Sequence, residues 1–334
     1  MTTRRVTLAD VAKAAGVSRS TASEALSGRG RMAEQTRAGV REAAAQLGYR
    51  PNALARGLRT GRTYSIGLHQ LAGADSFATQ YVRDFVGGVM LVAKERDYDL
   101  MFLSAHPDKP RPSQPQVDGI LIADPIADDI RARELLDSGV PIVAAEQFPE
   151  GMASAPVIRI DHVAVLHRLL DHCFTTGVRR PLLVVPDANS GWGAIVRSAY
   201  VDWCLSHDIE PVHVPIAFLT GFEEDERELM SQLMTVRPDA DLVIVPTEHA
   251  ALAVVSSLRE RGVALGSDVQ VACLIEAELL SHLSTAVTAI DLNPRELGAA
   301  CASALIDHLE AGAPLPDLTL IDGGLHLRAS TAGL

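Results

Sequence analysis

The chain has 334 residues and a net charge of −12, with 22% charged and 4% aromatic residues. No run approaches the 18 or so apolar residues that a membrane-spanning helix needs, and the first thirty residues hold no apolar segment of a signal peptide. The four cysteines are widely spaced without a C-x-x-C pair, which argues against a disulfide framework or a zinc site. We therefore expect a cytoplasmic protein with no metal, cofactor or membrane partner.

Charge is unevenly distributed along the chain. Residues 1–62 contain 12 of the 30 lysines and arginines but only four of the 42 acidic residues. This segment is therefore strongly basic, and the remainder is strongly acidic. A compact basic segment on an acidic body is typical of a small module that binds a polyanion such as nucleic acid.

A helix–turn–helix is predicted over residues 7–28, TLADVAKAAGVSRSTASEALSG. Thr7 followed by Asp10 has the spacing of a capping box, and Gly16 can adopt the positive φ that ends a first helix. Ser18 can cap a second helix over residues 19–26. This helix buries Ala22, Ala25 and Leu26 and leaves outside Arg19, Ser20, Ser23 and Glu24. The alternative is a helical hairpin without a ligand.

A third helix and a short basic helix are predicted next. The third helix, over residues 34–47, closes a three-helix core with Val40, Ala43, Ala44 and Leu47. Pro51 ends it, and Asn52 can cap a helix that extends to about Thr60. This helix is too short to be stable alone, but two of them side by side could insert Leu58 into the minor groove of DNA. The alternative is a plain linker.

Residues 7–28, together with TRAGVREAAAQLGYRPNALARGLRTGRT at 36–63, closely resemble the headpiece and hinge helix of the lactose-repressor (LacI/GalR) family of bacterial transcription regulators. The resemblance implies a homodimer on a pseudo-palindromic operator, with Arg19 and Ser20 at base edges and Leu58 as the minor-groove wedge. It implies phosphate contacts for Thr21, Ser23 and Thr36. The implied DNA-binding residues are Thr7, Ser18, Arg19, Ser20, Thr21, Ser23, Glu24, Arg31, Thr36, Asn52, Ala55, Arg56 and Leu58.

One residue of the second helix departs from the family pattern. Glu24 occupies a place where most members carry arginine. An arginine there would donate hydrogen bonds to guanine, whereas a carboxylate only accepts, for instance from cytosine N4. We therefore expect an operator sequence different from those of better-known relatives.

The body, residues 64–334, alternates apolar runs with amphipathic segments. Strands are predicted over residues 65–68, 99–103, 119–123, 140–145, 156–160, 181–185, 241–245, 269–274 and 286–290. Helices are predicted over residues 77–97, 162–176, 190–207, 248–261 and 294–311. Short apolar strands that alternate with helices indicate parallel sheets covered on both faces.

The resemblance implies a periplasmic-binding-protein-like body of two α/β lobes, with a ligand in the cleft between them. The fold class is thus a small all-α helix-turn-helix headpiece, residues 1–50, a hinge over 51–63, and this two-lobed domain over 64–334. We expect a first lobe of residues 64–161 with 291–320 and a second lobe of 162–290 with 321–334, with crossovers near Asp161, Asp291 and Ile321. Residues 104–117 are proline-rich and replace a helix that relatives carry.

The implied effector-binding residues are Asp75, Phe77, Asp161, His162, Arg197, Glu248 and Ile275. Arg197 matches the ligand-gripping arginine of sugar-responsive relatives, but Ile275 and Leu292 replace a carboxylate and an amide. His162 stands where relatives carry an amide or an acid. Such a cleft favours a ligand with an anionic group and a hydrophobic portion over a neutral hexose. An ordinary sugar is the alternative.

An enzyme with a DNA-binding appendage is the second class of function. The sequence contains no phosphate-binding loop, H-E-x-x-H or G-x-S-x-G motif that would support it. A periplasmic solute receptor conflicts with the basic head and the missing signal peptide. The sequence therefore favours a non-enzymatic transcription regulator, most simply a repressor. It leaves open whether the effector releases or strengthens DNA binding, or whether the cleft responds to no small molecule.

Overall fold

The computed structural model describes residues 6–27, 32–49, 61–70, 79–103, 115–186, 189–216, 233 and 235–333. The chain divides into two compact units, Met1–Thr63 and Tyr64–Leu334. The predicted DNA-facing residues Arg31, Asn52, Ala55, Arg56 and Leu58 lie outside the described residues, as do Asp75 and Phe77 of the predicted effector site.

The first unit contains three helices, α1 (Leu8–Ala14), α2 (Arg19–Ser27) and α3 (Glu34–Gln46). The predicted capping box is present, because the Thr7 side chain accepts from the Asp10 amide while Asp10 accepts from the Thr7 amide. Gly16 has a φ of +66°, which ends α1. The Thr21 amide donates to the Ser18 hydroxyl at 3.1 Å, so Ser18 caps α2.

The three helices enclose a small core of alanine and valine, formed by Val11, Ala12, Ala22, Ala25, Val40, Ala43 and Ala44. Small side chains allow the helices to pack closely, so the turn between α1 and α2 is short. One predicted core residue was wrong: Leu47 is 38% exposed. It is the C-terminal capping residue of α3, beyond the last buried turn, and Tyr49 packs against the core near this end.

The second unit is built on two six-stranded sheets. The first contains β1 (Ser65–Gln70), β2 (Asp99–Phe102), β3 (Gly119–Ala123), β4 (Ile142–Ala145), β5 (Val157–Ile160) and β11 (Leu318–Ile321). Its order is β11-β5-β4-β3-β1-β2, and every pair is parallel. The central strand β3 is fully buried, as expected for a strand covered on both faces.

The second sheet contains β6 (Pro181–Pro186), β7 (His213–Ile216), β8 (Leu242–Val245), β9 (Gln270–Cys273), β10 (Thr288–Asp291) and β12 (Gly324–His326). Its order is β12-β10-β9-β8-β6-β7. All pairs are parallel except β10 with β12. We call the two sheets with their helices the first and the second lobe.

Helices cover the two sheets. They are α4 (Gln80–Glu95), α5 (Ile130–Leu136), α6 (His162–Thr175), α7 (Gly191–Ser206), α8 (Glu248–Glu260), α9 (Glu278–Ser281) and α10 (Pro294–Ala311). A short 3₁₀ turn follows at Ala329–Thr331. In the first lobe α4 and α10 pack backbone against backbone. A Cβ added to Gly88 would lie 2.0 Å from the carbonyl oxygen of Arg295, so this position admits no side chain without a shift.

The chain passes between the lobes at three places. It leaves the first sheet after β5 and enters α6, which packs on α7 and β12 of the second lobe. It returns after β10 into α10, which packs on α4 and β3 of the first lobe. Finally it runs from β11 in the first sheet to β12 in the second.

All nine predicted strands are present, but the edge strands β7, β11 and β12 were missed. Edge strands carry polar or exposed residues, as the alternating exposure of β11 shows, so they lack the continuous apolar run that marks a buried strand. The described helices include none long and apolar enough to cross a membrane.

Candidate DNA-binding surface and effector cleft

The exposed face of α2 is the candidate DNA-binding surface. Ala22 and Ala25 are buried on one side of the helix. Arg19, Ser20 and Glu24 are exposed on the other. A helix presented in this way after a tight turn has the geometry that places side chains in the major groove.

Hydroxyl groups cluster at the start of this helix. The Ser18 hydroxyl lies 2.7 Å from the Ser20 hydroxyl and 2.8 Å from that of Thr21. Ser23 and Thr36 are half-buried at the edge of the same unit, and Thr7 is exposed at the start of α1. Hydroxyls and helix amino termini are common phosphate-binding groups. The predicted DNA-binding residues that the structure describes are therefore exposed or half-buried on the surface of this unit.

The effector cleft is the space between the carboxyl ends of the two sheets. An antiparallel bridge joins Ile126, in the loop after β3, to Ser190, in the loop after β6. Beside it the Ala127 amide donates to the Asn189 carbonyl at 2.9 Å. The loops after β3 and β6, at the carboxyl ends of two parallel strands, therefore meet between the lobes. This is the edge at which open α/β sheets bind ligands.

A second contact closes the cleft elsewhere. The amide of Glu278 in α9 donates to the side-chain oxygen of Gln80 in α4, at 2.8 Å. Contacts between the lobes therefore include those along residues 126–128 with 189–191 and the one through Gln80.

Two acidic residues form the first-lobe wall of the cleft. Asp124 directly follows β3 and Glu146 directly follows β4, with left-handed φ values of 47° and 81°. Such φ values are uncommon outside glycine and tend to occur at functional sites. Burial, and then the charge of Glu146, raise the pKa of Asp124 to about 8. Asp124 is therefore largely protonated at neutral pH.

Glu146 and Tyr81 complete this wall. Glu146 is 2% exposed, and its carboxylate lies 2.8 Å from Nε2 of His162, which is also buried. The pKa of the Tyr81 phenol is raised by burial, then by the nearby charges of Asp124 and Glu146. Tyr81 lies in the first turn of α4, whereas Asp124 and Glu146 follow β3 and β4.

The indole of Trp192 joins this wall to the second lobe. Trp192 lies in the first turn of α7, and its ring meets the imidazole of His162 edge to face, with centroids 6.3 Å apart. Trp192 is 6% exposed. An aromatic ring beside carboxylates is a common wall for hydroxylated or cationic ligands.

The second-lobe wall carries Glu248 and the segment after β9. Glu248 begins α8, directly after its capping residue Thr247, and is 8% exposed. Burial raises the pKa of the Cys273 thiol at the end of β9, and the charge of Glu248 adds to this shift. No hydrogen bond or ion pair to this carboxylate is found in the part of the chain that the structure describes.

Glu276, two residues beyond the buried Leu274, is by contrast fully engaged. Both of its oxygens accept from the Arg328 guanidinium, at 2.7 and 2.8 Å. Ile275, a predicted effector residue, is half-buried and packs against the main core.

The loop that carries Asp124 is held at its other end by a buried pair. His69 Nε2 in β1 lies 2.6 Å from the carboxylate of Asp129, and His69 Nδ1 lies 3.2 Å from the Leu103 carbonyl. Burial raises the pKa of Asp129, but the hydrogen bond and charge of His69 outweigh it, and the net pKa is lowered. Asp129 also caps α5 through the Ala132 amide. This loop is therefore fixed between β1 and the second lobe.

The predicted effector residues divide into three groups. His162 is hydrogen-bonded to Glu146 of the first lobe, Glu248 begins α8, and Ile275 follows β9. Asp161 caps α6, accepting from the Ala164 amide at 3.0 Å. Arg197 is half-buried in the second turn of α7; burial, and then the charge of Arg197, lower the pKa of His213 in β7.

Asp124, Glu146, Tyr81 and Trp192 were missed in the sequence. The signal for two of them was present, because an acidic residue directly follows each of two apolar strands, in GILIAD and IVAAE. The side chain at the carboxyl end of a parallel strand is the position from which ligands are usually contacted. Asp124 and Glu146 supply hydrogen-bonding groups to this wall, and the anionic ligand that the sequence favoured stays a prediction.

Comparison with known proteins supports both parts of this description. Residues 7–52 match the family model for bacterial regulatory proteins of the lacI family, and residues 170–331 match a periplasmic binding protein-like domain. The chain is 25% identical over 336 residues to the HTH-type transcriptional regulator CelR of Thermobifida fusca, covering 98% of each protein. It is 25% identical over 305 residues to catabolite control protein A of Staphylococcus xylosus, covering 88% of this chain and 89% of that protein.

Two solved structures share the fold over nearly the whole chain. The Lac repressor dimer bound to operator and the anti-inducer ONPF aligns with a TM-score of 0.80 at 20% identity, over 98% of this chain and 99% of that one. A complex of transcriptional regulator CelR with cellobiose aligns with a TM-score of 0.70 at 23% identity, over 98% and 100%. With its helix–turn–helix headpiece and two-lobed α/β body, the chain belongs to the lacI family of bacterial transcription regulators.

Proposed function

We propose that this regulator is a repressor that binds a pseudo-palindromic operator as a homodimer, with Arg19 and Ser20 of α2 at base edges. The observation that carries the proposal is the exposed face of α2, held by the Thr7–Asp10 and Ser18 caps. A single headpiece per chain reads one half-site, so two chains related by a two-fold axis read about 14–20 base pairs. The Lac repressor structure, a dimer on its operator, supports this arrangement.

Selection from randomised DNA followed by footprinting tests the operator proposal. We expect a two-fold symmetric site protected by two chains, and a loss of specific binding in Arg19→Ala. Lys13→Ala, at the last turn of α1, is the control for a general loss of positive charge. A monomer bound to one half-site at physiological salt would contradict the proposal.

The predicted hinge helix adds a second test, although Leu58 lies outside the described residues. A wedge in the minor groove is seated only at the operator centre. Leu58→Ala should therefore weaken operator binding far more than binding to random DNA, whereas Arg56→Ala should weaken both and flatten the salt dependence. Equal losses on both DNAs for Leu58→Ala would show that this segment is an ordinary linker.

Exposed apolar residues of the first lobe support a homodimer. Strand β2 is one of the two edge strands of its sheet, and its Met101 and Phe102 are 44% and 48% exposed. Unpaired edge strands with apolar side chains are commonly covered by a partner. Phe102→Glu should shift the protein from dimer to monomer in sedimentation, whereas Leu205→Glu, on α7 of the second lobe, should not.

We further propose that a small molecule in the interlobe cleft changes operator affinity. The contacts across the cleft from residues 126–128 and from Gln80 give the lobes an arrangement that a bound ligand can favour or oppose. The cellobiose complex of CelR supports a small-molecule effector. A panel of small molecules is screened on the full chain by thermal shift and then in operator titrations. We expect at least one compound to raise the unfolding temperature by mass action and to change operator affinity. Its direction separates an inducer from a corepressor.

A further inference from the structure

A buried histidine–carboxylate pair joins the end of β1 to the start of α5. His69 and Asp129 are 0% and 2% exposed. The Nε2 atom of His69 lies 2.6 Å from Oδ2 of Asp129, and its Nδ1 atom lies 3.2 Å from the carbonyl oxygen of Leu103. That carbonyl is held in place, because the amide of Leu103 donates to the Leu68 carbonyl. Both ring nitrogens of His69 therefore face an oxygen atom that can accept a hydrogen bond.

The partners of His69 define its protonation state. A carbonyl oxygen accepts and never donates, so Nδ1 carries a proton. The proton between the ring and Asp129 lies on Nε2, because the other carboxylate oxygen accepts from the Ala132 amide at 2.9 Å, which stabilises the ionised form. Burial raises the pKa of Asp129, but the hydrogen bond and charge of His69 outweigh it and lower the net pKa. His69 is therefore an imidazolium in a buried ion pair.

Asp129 ends the loop that contacts the second lobe. Its amide donates to the carbonyl of Ile126 at 3.2 Å, which closes a turn. Ile126 forms the antiparallel bridge with Ser190, and the Ala127 amide donates to the Asn189 carbonyl at 2.9 Å. We call residues 126–129 the interlobe loop. A shift of Asp129 away from His69 therefore moves the backbone groups that contact the second lobe.

The other charged groups of this region have different partners. The Arg133 guanidinium donates to the Ala127 carbonyl at 2.8 and 3.2 Å, but its side chain is exposed. Arg131 pairs with Glu134 at 2.7 Å, and Asp128 accepts from a side-chain amide of the second lobe at 3.3 Å. Within the described part of the chain, the charge that neutralises the carboxylate at the end of the interlobe loop thus comes from His69.

We propose that protonated His69 is a positioning residue for the effector response: its ion pair with Asp129 holds the interlobe loop against the second lobe. This role rests on the proposed function, in which the arrangement of the lobes changes operator affinity. Without the imidazolium the buried carboxylate would be unpaired, which is strongly destabilising. Asp129 then moves toward water, the interlobe loop follows, and its hydrogen bonds to the second lobe are lost.

The test measures the distance between the lobes in the full-length protein. Spin labels at Glu95→Cys in α4 and Glu260→Cys in α8 report it by pulsed dipolar spectroscopy, because both positions are exposed and the native cysteines are buried. Labelled chains are diluted with unlabelled chains, so that only distances within one chain are measured. His69→Leu should lower the ratio of closed to open molecules at least about tenfold.

A control in the same strand separates positioning from general stability. Ile66→Val removes a buried methyl group from β1 and should lower the stability of the first lobe without any change in the distance between the lobes. A folded His69→Leu protein with the native distance, or with the same distance as Ile66→Val, overturns the role of His69.

A second substitution tests the unpaired carboxylate as the cause of opening. Asp129→Ser keeps a hydroxyl that can cap α5 and removes the negative charge. The double variant His69→Leu/Asp129→Ser should therefore return to the native distance. A double variant that stays as open as His69→Leu overturns the ion pair as the positioning element.

Nuclear magnetic resonance tests the protonation state in the native chain, isotope-labelled at its histidines. His69, assigned by the loss of its signals in His69→Leu, should carry protons on both ring nitrogens. Asp129→Asn places an amide that can donate to Nε2, so His69 should lose that proton and keep the one on Nδ1. A single ring proton on His69 in the native chain overturns the proposed ion pair.

The distances are measured without DNA or a small molecule, so they are independent of the effector response. An unchanged distance overturns the role of His69 and leaves the effector response standing. Operator titrations test the effector response itself. Operator affinity that responds to no compound, and that stays the same when the lobes separate in His69→Leu, would instead contradict the proposed function.

Discussion

Replacement of Gly191 by alanine should separate the two lobes. Gly191 begins α7, and a Cβ built there would lie 2.1 Å from the carbonyl oxygen of Gln147 and 2.7 Å from its carbon. Gln147 belongs to the loop after β4, so the clash is with backbone of the opposite lobe and cannot be relieved by a side-chain rotation. Relief requires α7 and this loop to move apart by about 1 Å, the difference from ordinary contact distance.

The cost of the clash can be bounded. Overpacking of this kind typically costs about 1–3 kcal/mol. Since opening the cleft relieves it, the ratio of closed to open molecules should fall roughly 5- to 150-fold. Movement there also strains the Ala127–Asn189 hydrogen bond, worth about 1 kcal/mol. A ligand that binds only the closed form loses affinity by a similar factor.

Pulsed dipolar spectroscopy can measure the opening. Spin labels at Asp137→Cys in the first lobe and Glu260→Cys in the second would report the distance between lobes, because both positions are exposed and the four native cysteines are buried. Gly39→Ala is the control, since a Cβ at Gly39 meets nothing within 4 Å. A distance distribution in Gly191→Ala identical to that of the native protein would refute the reasoning.

Three further predictions concern single residues. The pKa of Asp124 is about 8 in the folded chain, against an ordinary value of 3.8. Between these two pH values the folded state binds more protons than the unfolded state, so the free energy of unfolding falls as pH rises. Asp124→Asn should therefore be more stable than the native protein at pH 8 by about 1–2 kcal/mol, and by less at pH 5, in denaturant titrations; equal pH profiles would contradict this. Thr7→Ala removes a capping box and should cost the headpiece about 1 kcal/mol, seen as faster hydrogen exchange in α1, whereas Thr7→Ser should not. Glu24→Arg should shift the selected operator toward guanine by roughly 1–3 kcal/mol, and an unchanged base preference would make Glu24 a solvated helix residue.

The headpiece could be predicted from the sequence almost residue by residue. Its signals are local: Thr7 and Asp10 are three residues apart, Gly16 must end a helix, and Ala22 and Ala25 repeat at helical spacing. Leu47 was wrongly predicted to be buried because the apolar periodicity of α3 continues to its capping residue, beyond the last buried turn.

The cleft was less predictable because its geometry is set by contacts between distant segments. Glu146 and His162 meet only when β4 and α6 are placed beside each other, and neither residue is unusual in the sequence. Arg197 illustrates the reverse case. A motif identified it as a ligand residue, and that stays a prediction, because its half-buried place in the second turn of α7 does not by itself define what it contacts.

Because the chain passes between the lobes three times, neither lobe is complete until late in its synthesis. The first lobe lacks α10 and β11 until residues 294–321 have been synthesised, and the second lobe lacks β12 until shortly after. The headpiece, whose contacts are all local, can fold on the ribosome long before this. During that interval β5 and β10 are open sheet edges, and the face of α4 that receives α10 is bare. Such surfaces are prone to aggregation, so the nascent body should depend on chaperones more than a protein whose domains are continuous in sequence.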